Sequence, residues 1–250
     1  MSLIISIANH KGGVGKTTTT VNLAAALSRA GYKVLIIDID PQANATFALG
    51  LGKQERTLYQ TLVFQDAIEK AVQHLEEADL DIVPSSVHLA AFEKNNEVGK
   101  EFILQEKVAE IRENYHFILL DCPPSLGALT ISALTASDYA MIVLQPEPLA
   151  LQGMTEFLKI LRTVKTRMNP ELDILGILVT GYDNRTVLHR ELFEYLVNEY
   201  KEMVFTTKIR KTISLPEAQS MGQNIFAYNP NSVGAEDYAS LAKEIVTRVT

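Results

Sequence analysis

Cysteine is nearly absent from this sequence, in which Cys122 is the one example among 250 residues. A single cysteine cannot form a disulfide framework, and it cannot provide a multi-cysteine zinc or iron–sulfur site within one chain. No other motif of thiol chemistry accompanies Cys122, so we expect it to be a small buried apolar group. The sequence therefore points away from disulfide-rich, zinc-finger and iron–sulfur proteins.

The sequence also lacks an excess of positive charge, since its formal net charge is −7. A protein that coats nucleic acid through bulk charge would be strongly basic. That class is disfavoured, whereas a local basic patch remains compatible with the composition.

Long apolar runs are missing as well. No stretch approaches the roughly 20 apolar residues that cross a bilayer, and the first eight residues lack the basic region and long apolar run of a secretory signal. We therefore expect a cytoplasmic protein. No repeat, low-complexity tract or Gly/Ser/Pro-rich linker divides the chain, which predicts one domain over residues 1–250.

Apolar segments of strand length alternate with segments of helical period along the chain. This pattern predicts an α/β fold in three layers, a mostly parallel sheet with helices on both faces. About seven strands are expected, at Leu3–Ala8, Lys33–Asp38, Leu80–Pro84, His116–Asp121, Asp138–Gln145, Ile174–Thr180 and Met203–Ile209. The clearest predicted helices are Lys16–Ala30, Gly127–Thr135, Ala150–Met168, Val187–Tyr200 and Glu236–Val249. Two or three short helices are expected between Gly50 and Gln105.

A glycine-rich segment follows the first predicted strand and precedes a helix. Glycines let backbone N–H groups turn toward a phosphate, and the helix N-terminus adds partial positive charge. Lys16 is placed to reach the β- and γ-phosphates, and the Thr17 hydroxyl to bind magnesium. The ordinary P-loop has glycine where His10 stands, so this is a deviant form with an additional lysine. The predicted nucleotide site consists of Lys11, Gly12, Gly13, Val14, Gly15, Lys16, Thr17 and Thr18.

Three aspartates stand at the ends of predicted strands. Asp38 and Asp40 close the second strand, and their alternation places both side chains on one side of it. Asp121 follows a buried-type apolar run, which is the Walker B arrangement of a carboxylate near a metal. The carboxyl ends of parallel strands open toward the ligand crevice, so we expect all three near the P-loop. A loop-capping role is the plain alternative for each.

Together these motifs resemble the ParA/Soj/MinD group of P-loop ATPases, and most closely its small partition ATPases. The resemblance rests on the P-loop and on Asp-Ile-Asp-Pro-Gln-Ala-Asn (38–44), Asp-Cys-Pro-Pro-Ser-Leu-Gly (121–127) and Gly-Ala-Glu (234–236). It implies a P-loop NTPase fold, ATP with Mg²⁺, and slow hydrolysis that drives DNA partition or cargo positioning. The implied partners are a second copy of the chain, nonspecific DNA and a ParB-like activator.

The resemblance also implies roles for individual residues. Lys11 would reach across the dimer to the partner's ATP and act in catalysis together with Lys16. Asp40 would position the attacking water, and Asp38 would support magnesium through water, beside Thr17 and Asp121. Residues placed near the nucleotide by the resemblance alone are Glu147, which would meet the partner's nucleotide, and Thr180, Ile209 and Arg210, which would lie near adenine.

Contacts with DNA phosphates require lysine and arginine on one face. The candidates are Arg185, Lys208, Arg210 and Lys211. Arg185 matches a position that the group associates with DNA, whereas Ser214 stands where close relatives carry arginine. A solvated basic face is the alternative interpretation of these residues.

Two other functions remain open on the same fold. A MinD-like ATPase acting at a membrane surface would need a basic amphipathic C-terminal helix, but residues 241–250 are typical of a last core helix, so we expect no membrane partner. A metabolic or electron-transfer enzyme is the other alternative. Relatives of the nitrogenase iron protein need paired cysteines, and amidoligase relatives would need a substrate pocket that no motif reveals.

Overall fold

The computed structural model describes residues 2–95, 97–148 and 150–249. Its strands are β1 (Leu3–Ala8), β2 (Val34–Asp38), β3 (Gln73–Leu75), β4 (Leu80–Val83), β5 (Phe117–Asp121), β6 (Tyr139–Leu144) and β7 (Asp173–Val179). They form one sheet in the order β3-β4-β2-β5-β1-β6-β7. Strand β3 runs antiparallel to β4, and the other neighbours are parallel.

Helices connect the strands and cover the sheet. The α-helices of the described residues are α1 (Lys16–Arg29), α2 (Asn44–Ala48), α3 (Leu58–Val63), α4 (Ala90–Lys94), α5 (Lys100–Ile111), α6 (Ala128–Ala136), α7 (Ala150–Arg167), α8 (Val187–Tyr200), α9 (Ser214–Ser220), α10 (Ile225–Tyr228) and α11 (Val233–Val249). Short 3₁₀ turns occupy Ile68–Ala71, Val87–Leu89, Arg112–Asn114 and Lys201–Met203.

The buried side chains of each central strand alternate between two core layers, as the pleat requires. In β1, Ile5 and Ile7 pack into the layer that contains α1 and α11. Ile4 and Ala8 face the opposite layer, which contains α5 and α6. Because both faces are covered, β1, β2 and β5 are buried along their whole length and consist mainly of apolar residues, which confirms the predicted three-layer α/β fold.

Strand register brings the predicted acidic residues to one edge of the sheet. Asp121 aligns with Ile7 of β1 on one side and with Asp38 of β2 on the other. The loop after β1 and the loop after β2 therefore begin beside the same carboxylate. This edge is the carboxyl end of the parallel strands, where ligands bind in open α/β sheets.

The predicted strand at Met203–Ile209 is wrong. Only isolated bridges join this region to the sheet edge, at Val204 and Arg210. Glu244 of α11 explains the interruption, because its carboxylate accepts the backbone N–H groups of Thr206 and Thr207, each at 2.8 Å. Those amides are thus unavailable to a ladder with β7.

The region between Gly50 and Gln105 contains the short helices expected there, α3 and α4, and the beginning of α5. It also contains β3, a three-residue edge strand that the sequence pattern did not predict. Helix α11 begins three residues earlier than predicted, at Val233. Among the described helices, none has the length and apolarity needed to cross a membrane.

Candidate nucleotide site

The loop between β1 and α1 has the backbone geometry that its glycines allow. Gly13 and Gly15 adopt left-handed conformations, with φ of 76° and 92°. Gly15 is the N-cap of α1 and supplies no side-chain cap, so no side chain covers the first amides of the helix. An uncapped helix N-terminus carries free N–H donors and partial positive charge, which fits an anion such as a phosphate.

A cleft of about 350 Å³ opens over this helix end. We call it the nucleotide cleft, and its lining residues are Gly12, Gly13, Gly15, Lys16, Thr17, Thr18, Asp40, Asn44, Pro124 and Gln219. The Lys16 side chain turns back over the loop, with Nζ 3.0 Å from the carbonyl oxygen of Lys11. Burial lowers the pKa of Lys16, and the carboxylates of Asp121 and Asp40 partly offset that effect.

Asp121 is tied to the first turn of α1. The hydroxyls of Thr17 and Thr20 donate to its two oxygens at 2.8 and 2.9 Å. Burial raises the pKa of Asp121, which these hydrogen bonds and the Lys16 charge partly counter. A carboxylate beside a hydroxyl suits magnesium, which takes one or two protein oxygens together with substrate phosphates. No group of three or more His, Cys, Asp or Glu residues suited to a metal occurs in the described part of the chain, and such a magnesium site needs none.

Asp38 and Asp40 have different surroundings. Asp38 is fully buried, and Thr46 donates to its Oδ2 through both the backbone N–H and the hydroxyl, at 2.9 and 2.7 Å. Burial and the neighbouring Asp121 raise the pKa of Asp38 well above its usual range. Asp40 lines the nucleotide cleft instead, and its Oδ1 accepts the backbone N–H of Gln42 at 2.9 Å. Because the Asp40 N–H donates to Asp38 at 3.2 Å, Asp38 orients the Asp40 loop.

Lys11 does not line the nucleotide cleft. Its ammonium group pairs with the carboxylate of Glu147, and both side chains remain partly exposed, at 35% and 48%. The loop after β6 makes a second contact with the P-loop, since the Gln145 amide donates to the Gly13 carbonyl at 3.2 Å. These two contacts bring the loop after β6 and the first half of the P-loop together.

The residues that the sequence placed near adenine are engaged within the chain, and Thr180 contacts the P-loop. The buried Thr180 hydroxyl donates to the Val14 carbonyl at 2.6 Å and so stabilises the P-loop backbone. Ile209 is buried in the core. Arg210 lines a second cleft of about 700 Å³ that also contains Tyr182 and Asp237. Adenine recognition by these three residues stays a prediction.

Known proteins similar to this chain show its family. A family model described as an AAA domain matches residues 2–174, more than half of the chain. The sporulation initiation inhibitor protein Soj of Bacillus subtilis (strain 168) is 42% identical over 249 residues, which are 98% of each chain. The chain belongs to the ParA/Soj/MinD group of P-loop ATPases.

Two further proteins place the chain within this group and its fold. The chromosome partitioning protein ParA of Caulobacter vibrioides (strain NA1000 / CB15N) is 36% identical over 251 residues, covering 98% of this chain and 94% of its own. The crystal structure of cobyrinic acid a,c-diamide synthase from Mycobacterium smegmatis, with bound ADP and magnesium, superposes with a TM-score of 0.88 at 31% identity. That superposition covers 100% of this chain and 96% of the synthase. The fold is thus that of a P-loop NTPase.

The basic residues proposed for DNA differ in how available their charges are. Arg210 donates to Asp237 through Nε and Nη2 and to Glu236 through Nη2 at 2.7 Å, so two carboxylates compensate it. Lys208 holds its Nζ 3.8 Å from the centroid of the Phe193 ring. Burial lowers the pKa of Lys208. These two residues are poor candidates for phosphate contacts.

Arg185 and Lys211 remain accessible. The Arg185 side chain is 87% exposed although it pairs with Asp183 at 2.8 Å. Lys211 is exposed, and no ion pair joins it to another described residue. Both line the second cleft, so a phosphate backbone passing over that cleft could meet the two together. Of the four basic candidates, Arg185 and Lys211 therefore have the most accessible charges, and contact with DNA stays a prediction for all of them.

Two lining residues of the nucleotide cleft were not predicted from the sequence. Asn44 stands inside a motif already quoted, and its amide donates to Asp40 at 3.3 Å. Gln219 comes from α9, about 200 residues later than its partner Thr18, whose hydroxyl donates to it at 3.4 Å. No local pattern marks a glutamine in that position, so the fold alone reveals it.

Proposed function

We propose that this chain is a ParA-like ATPase that binds ATP with magnesium in the nucleotide cleft, dimerises around the nucleotide and hydrolyses it slowly. One observation carries the proposal: an uncapped helix N-terminus faces a cleft that also presents Lys16, with the hydrogen-bonded Thr17 and Asp121 beneath. In a chain of this group, that arrangement fits a nucleoside triphosphate and its metal.

The residues would divide the work as follows. The backbone N–H groups of residues 12–18 and the Lys16 ammonium would hold the phosphates. Thr17 and Asp121 would hold magnesium, which when bound neutralises charge on the β- and γ-phosphates. Asp40 would orient the attacking water from its place on the cleft wall, while Asp38, buried behind it, would fix the loop that carries Asp40.

Dimerisation is proposed because Lys11 does not contribute to the nucleotide cleft of its own chain. Lys16 reaches the nucleotide cleft, whereas Lys11 stands outside its lining and is partly exposed. A lysine supplied by a second copy would stabilise charge on the phosphates much as an arginine finger does elsewhere. Its cis partner, Glu147, would have to release it first.

A mixed-dimer experiment tests this assignment. Lys11→Ala chains and Asp40→Ala chains are each expected to have little ATPase activity alone. If Lys11 acts in trans, the mixed dimer contains one complete site, and an equal mixture regains about one quarter of wild-type turnover because half of its dimers are mixed. If Lys11 acts in cis, both sites of the mixed dimer are defective and the mixture stays inactive. Turnover of the mixture therefore decides between the two assignments.

The cargo is proposed to be DNA, with a ParB-like protein as the activator. The name of the Caulobacter relative, a chromosome partitioning protein, supports this choice. Light scattering after size exclusion should show a mass shift from monomer to dimer on addition of ATP and magnesium. Retention on nonspecific DNA, compared with pelleting by liposomes of anionic phospholipid, then separates a partition ATPase from a membrane-surface ATPase. Binding to liposomes without binding to DNA would contradict the proposal.

We expect DNA binding to require ATP, to ignore sequence and to weaken steeply with salt. Arg185 and Lys211 give two contacts per subunit, so a dimer should show a salt slope of roughly 3 to 4, at about 0.9 per phosphate contact. Arg185→Glu should reduce that slope by about 2, because the dimer loses two contacts. Ser214→Arg should strengthen binding by adding a contact. Filter binding of duplex DNA at roughly 50 to 300 mM salt measures these slopes.

Lys33→Glu is the matched control for Arg185→Glu, since it places the same new charge at an exposed residue before β2, at the opposite edge of the sheet. It should leave the salt slope unchanged. ATP-loaded protein that dimerises but ignores DNA at low salt would assign the surface to another cargo.

A second candidate function follows from one comparison. The structural similarity to a protein described as a cobyrinic acid a,c-diamide synthase favours an ATP-consuming amidation of a carboxylic acid. Addition of cobyrinic acid and glutamine should then raise ADP release above that with ATP alone. Stimulation by DNA and a ParB-like protein, but not by these substrates, is the result expected for a partition ATPase.

A further inference from the structure

The P-loop contains a histidine whose position the nucleotide chemistry leaves unexplained. The His10 ring rests directly on Gly153, in the first turns of α7. A Cβ built on Gly153 would stand 2.0 Å from Cε1 of the ring and 2.9 and 3.0 Å from its two nitrogens. No side chain other than hydrogen fits at position 153 while the ring stays where it is.

Shape alone holds this contact. The Nδ1 atom of His10 is buried and has no hydrogen-bond partner among the described residues. Buried polar atoms normally have a partner, so an orphan atom of this kind calls for an explanation. Here the ring gives up that hydrogen bond and gains close packing against a helix. The absence of a side chain at Gly153 therefore determines where His10 lies.

Hydrogen bonds tie the residues on either side of His10 to β6 and to the P-loop. The Asn9 amide donates to the Val143 carbonyl at 2.7 Å, and its Oδ1 accepts the Lys11 N–H at 3.1 Å. The Lys11 carbonyl in turn accepts the Lys16 ammonium at 3.0 Å. The backbone of Lys11, the residue after His10, is thus held by Asn9 through its N–H and contacts the Lys16 ammonium through its carbonyl.

Helix α7 is the other half of the contact. It begins at Ala150, three residues after Glu147, which pairs with Lys11. The P-loop therefore meets the loop after β6 through an ion pair and meets α7 through a ring packed on a glycine. An ion pair of exposed groups contributes little by itself, which leaves the half-buried His10 ring as the more restrictive contact.

We infer that His10 is a positioning residue: its ring, docked on Gly153, sets the P-loop backbone so that Lys11 and Lys16 are correctly placed for the phosphates. The consequence for ATP turnover rests on the proposed function. The effect on the placement of Lys11 next to Glu147 in the nucleotide-free chain is independent of that function.

Gly153→Ala tests the inference without endangering the fold. Alanine is a better helix former than glycine, so the melting temperature should stay level or rise. The added methyl group must displace the His10 ring, which has no hydrogen bond to lose. We expect kcat for ATP to fall roughly 10- to 100-fold, as small misplacements in an active site do. Gly52→Ala is the matched control, because a Cβ on Gly52 meets no atom within 4 Å.

The decisive comparison is the double variant. Once the ring is removed in His10→Ala, the methyl group of Gly153→Ala has nothing to displace. The double variant should therefore behave like His10→Ala alone, a non-additive result typical of residues in contact. Full additivity of the two changes, or a Gly153→Ala protein with wild-type turnover, would overturn the inference.

A second measurement separates this inference from the proposed function. Acylation of Lys11 by an amine-reactive ester, followed by mass spectrometry, needs no nucleotide and no dimer. Gly153→Ala should speed labelling of Lys11 relative to Lys33, and the double variant should be labelled at the same rate as His10→Ala. Unchanged labelling overturns the inference, whereas absence of ATP turnover in the wild type contradicts only the proposed function.

Discussion

Lys16→Ala is expected to abolish nucleotide binding. Lys16 is 7% exposed, lines the nucleotide cleft and is the one lysine there. A hydrogen bond to a charged group contributes about 1.5–3 kcal/mol, and this ammonium would make two or more such bonds to phosphate oxygens. Loss of these bonds should weaken ATP binding by roughly 100-fold or more. Titration with a fluorescent ATP analogue measures the affinity.

Lys33→Ala is the control for this prediction, because it removes the same group from an exposed position away from the nucleotide cleft. Thermal unfolding should show both variants folded. Burial lowers the pKa of Lys16 and so works against its charge, which means that removing the group should cost the apo fold little. ATP affinity equal to the wild type in Lys16→Ala would show that the phosphates are bound elsewhere.

The fold was predictable where local chemistry and burial agree. The strands β1, β2 and β5 are mainly apolar because helices cover both of their faces. Local chemistry and burial also agree in α1, which was predicted directly after the P-loop. The chain between Gly50 and Gln105 was harder, because its elements are short and β3 is a polar edge strand of three residues. The prediction of a single domain over residues 1–250 stays a prediction, which one cooperative unfolding transition would support.

The error at Met203–Ile209 has a specific cause. Its residues begin with the apolar run Met-Val-Phe (203–205), and Phe205 and Ile209 do donate backbone N–H groups to β7, at 3.0 and 2.9 Å. The intervening amides bind Glu244 instead. A carboxylate about 40 positions later in the sequence gives no local sign that it will take those donors.

The candidate site was predictable where residues share a strand end or a motif. The contact between Thr17 and Asp121 follows from the P-loop and Walker B patterns together with parallel pairing of their strands. Contacts that depend on packing at long range were not predictable. The pairing of Lys11 with Glu147 and the seat of His10 on Gly153 join segments about 140 residues apart. Glycine is usually unfavourable in a helix, so a glycine at position 153 is a weak sign of a close contact there. The packing of the His10 ring on Gly153 explains it.

Asp40→Ala should separate ATP binding from ATP hydrolysis. Asp40 lines the nucleotide cleft, but its hydrogen bonds go to its own loop, to Gln42 and Asn44. The bond from Thr17 to Asp121 and the bond from Lys16 to the Lys11 carbonyl do not involve it. The groups that would hold phosphate and magnesium therefore remain in place, and ATP affinity should change by no more than a few-fold.

Hydrolysis in Asp40→Ala should fall by about 10²- to 10⁴-fold, the usual contribution of a group that acts on the attacking water. With hydrolysis blocked and binding intact, the ATP-bound dimer should accumulate and outlast the wild-type dimer after excess ATP is removed. Asp40→Asn keeps the shape and the hydrogen bond from the Gln42 N–H but not the charge, so equal losses in the two variants assign the effect to the carboxylate. Single-turnover hydrolysis and light scattering measure the two properties. A variant that binds ATP and hydrolyses it at the wild-type rate, or that stays monomeric with saturating ATP, contradicts the role of Asp40 at the nucleotide.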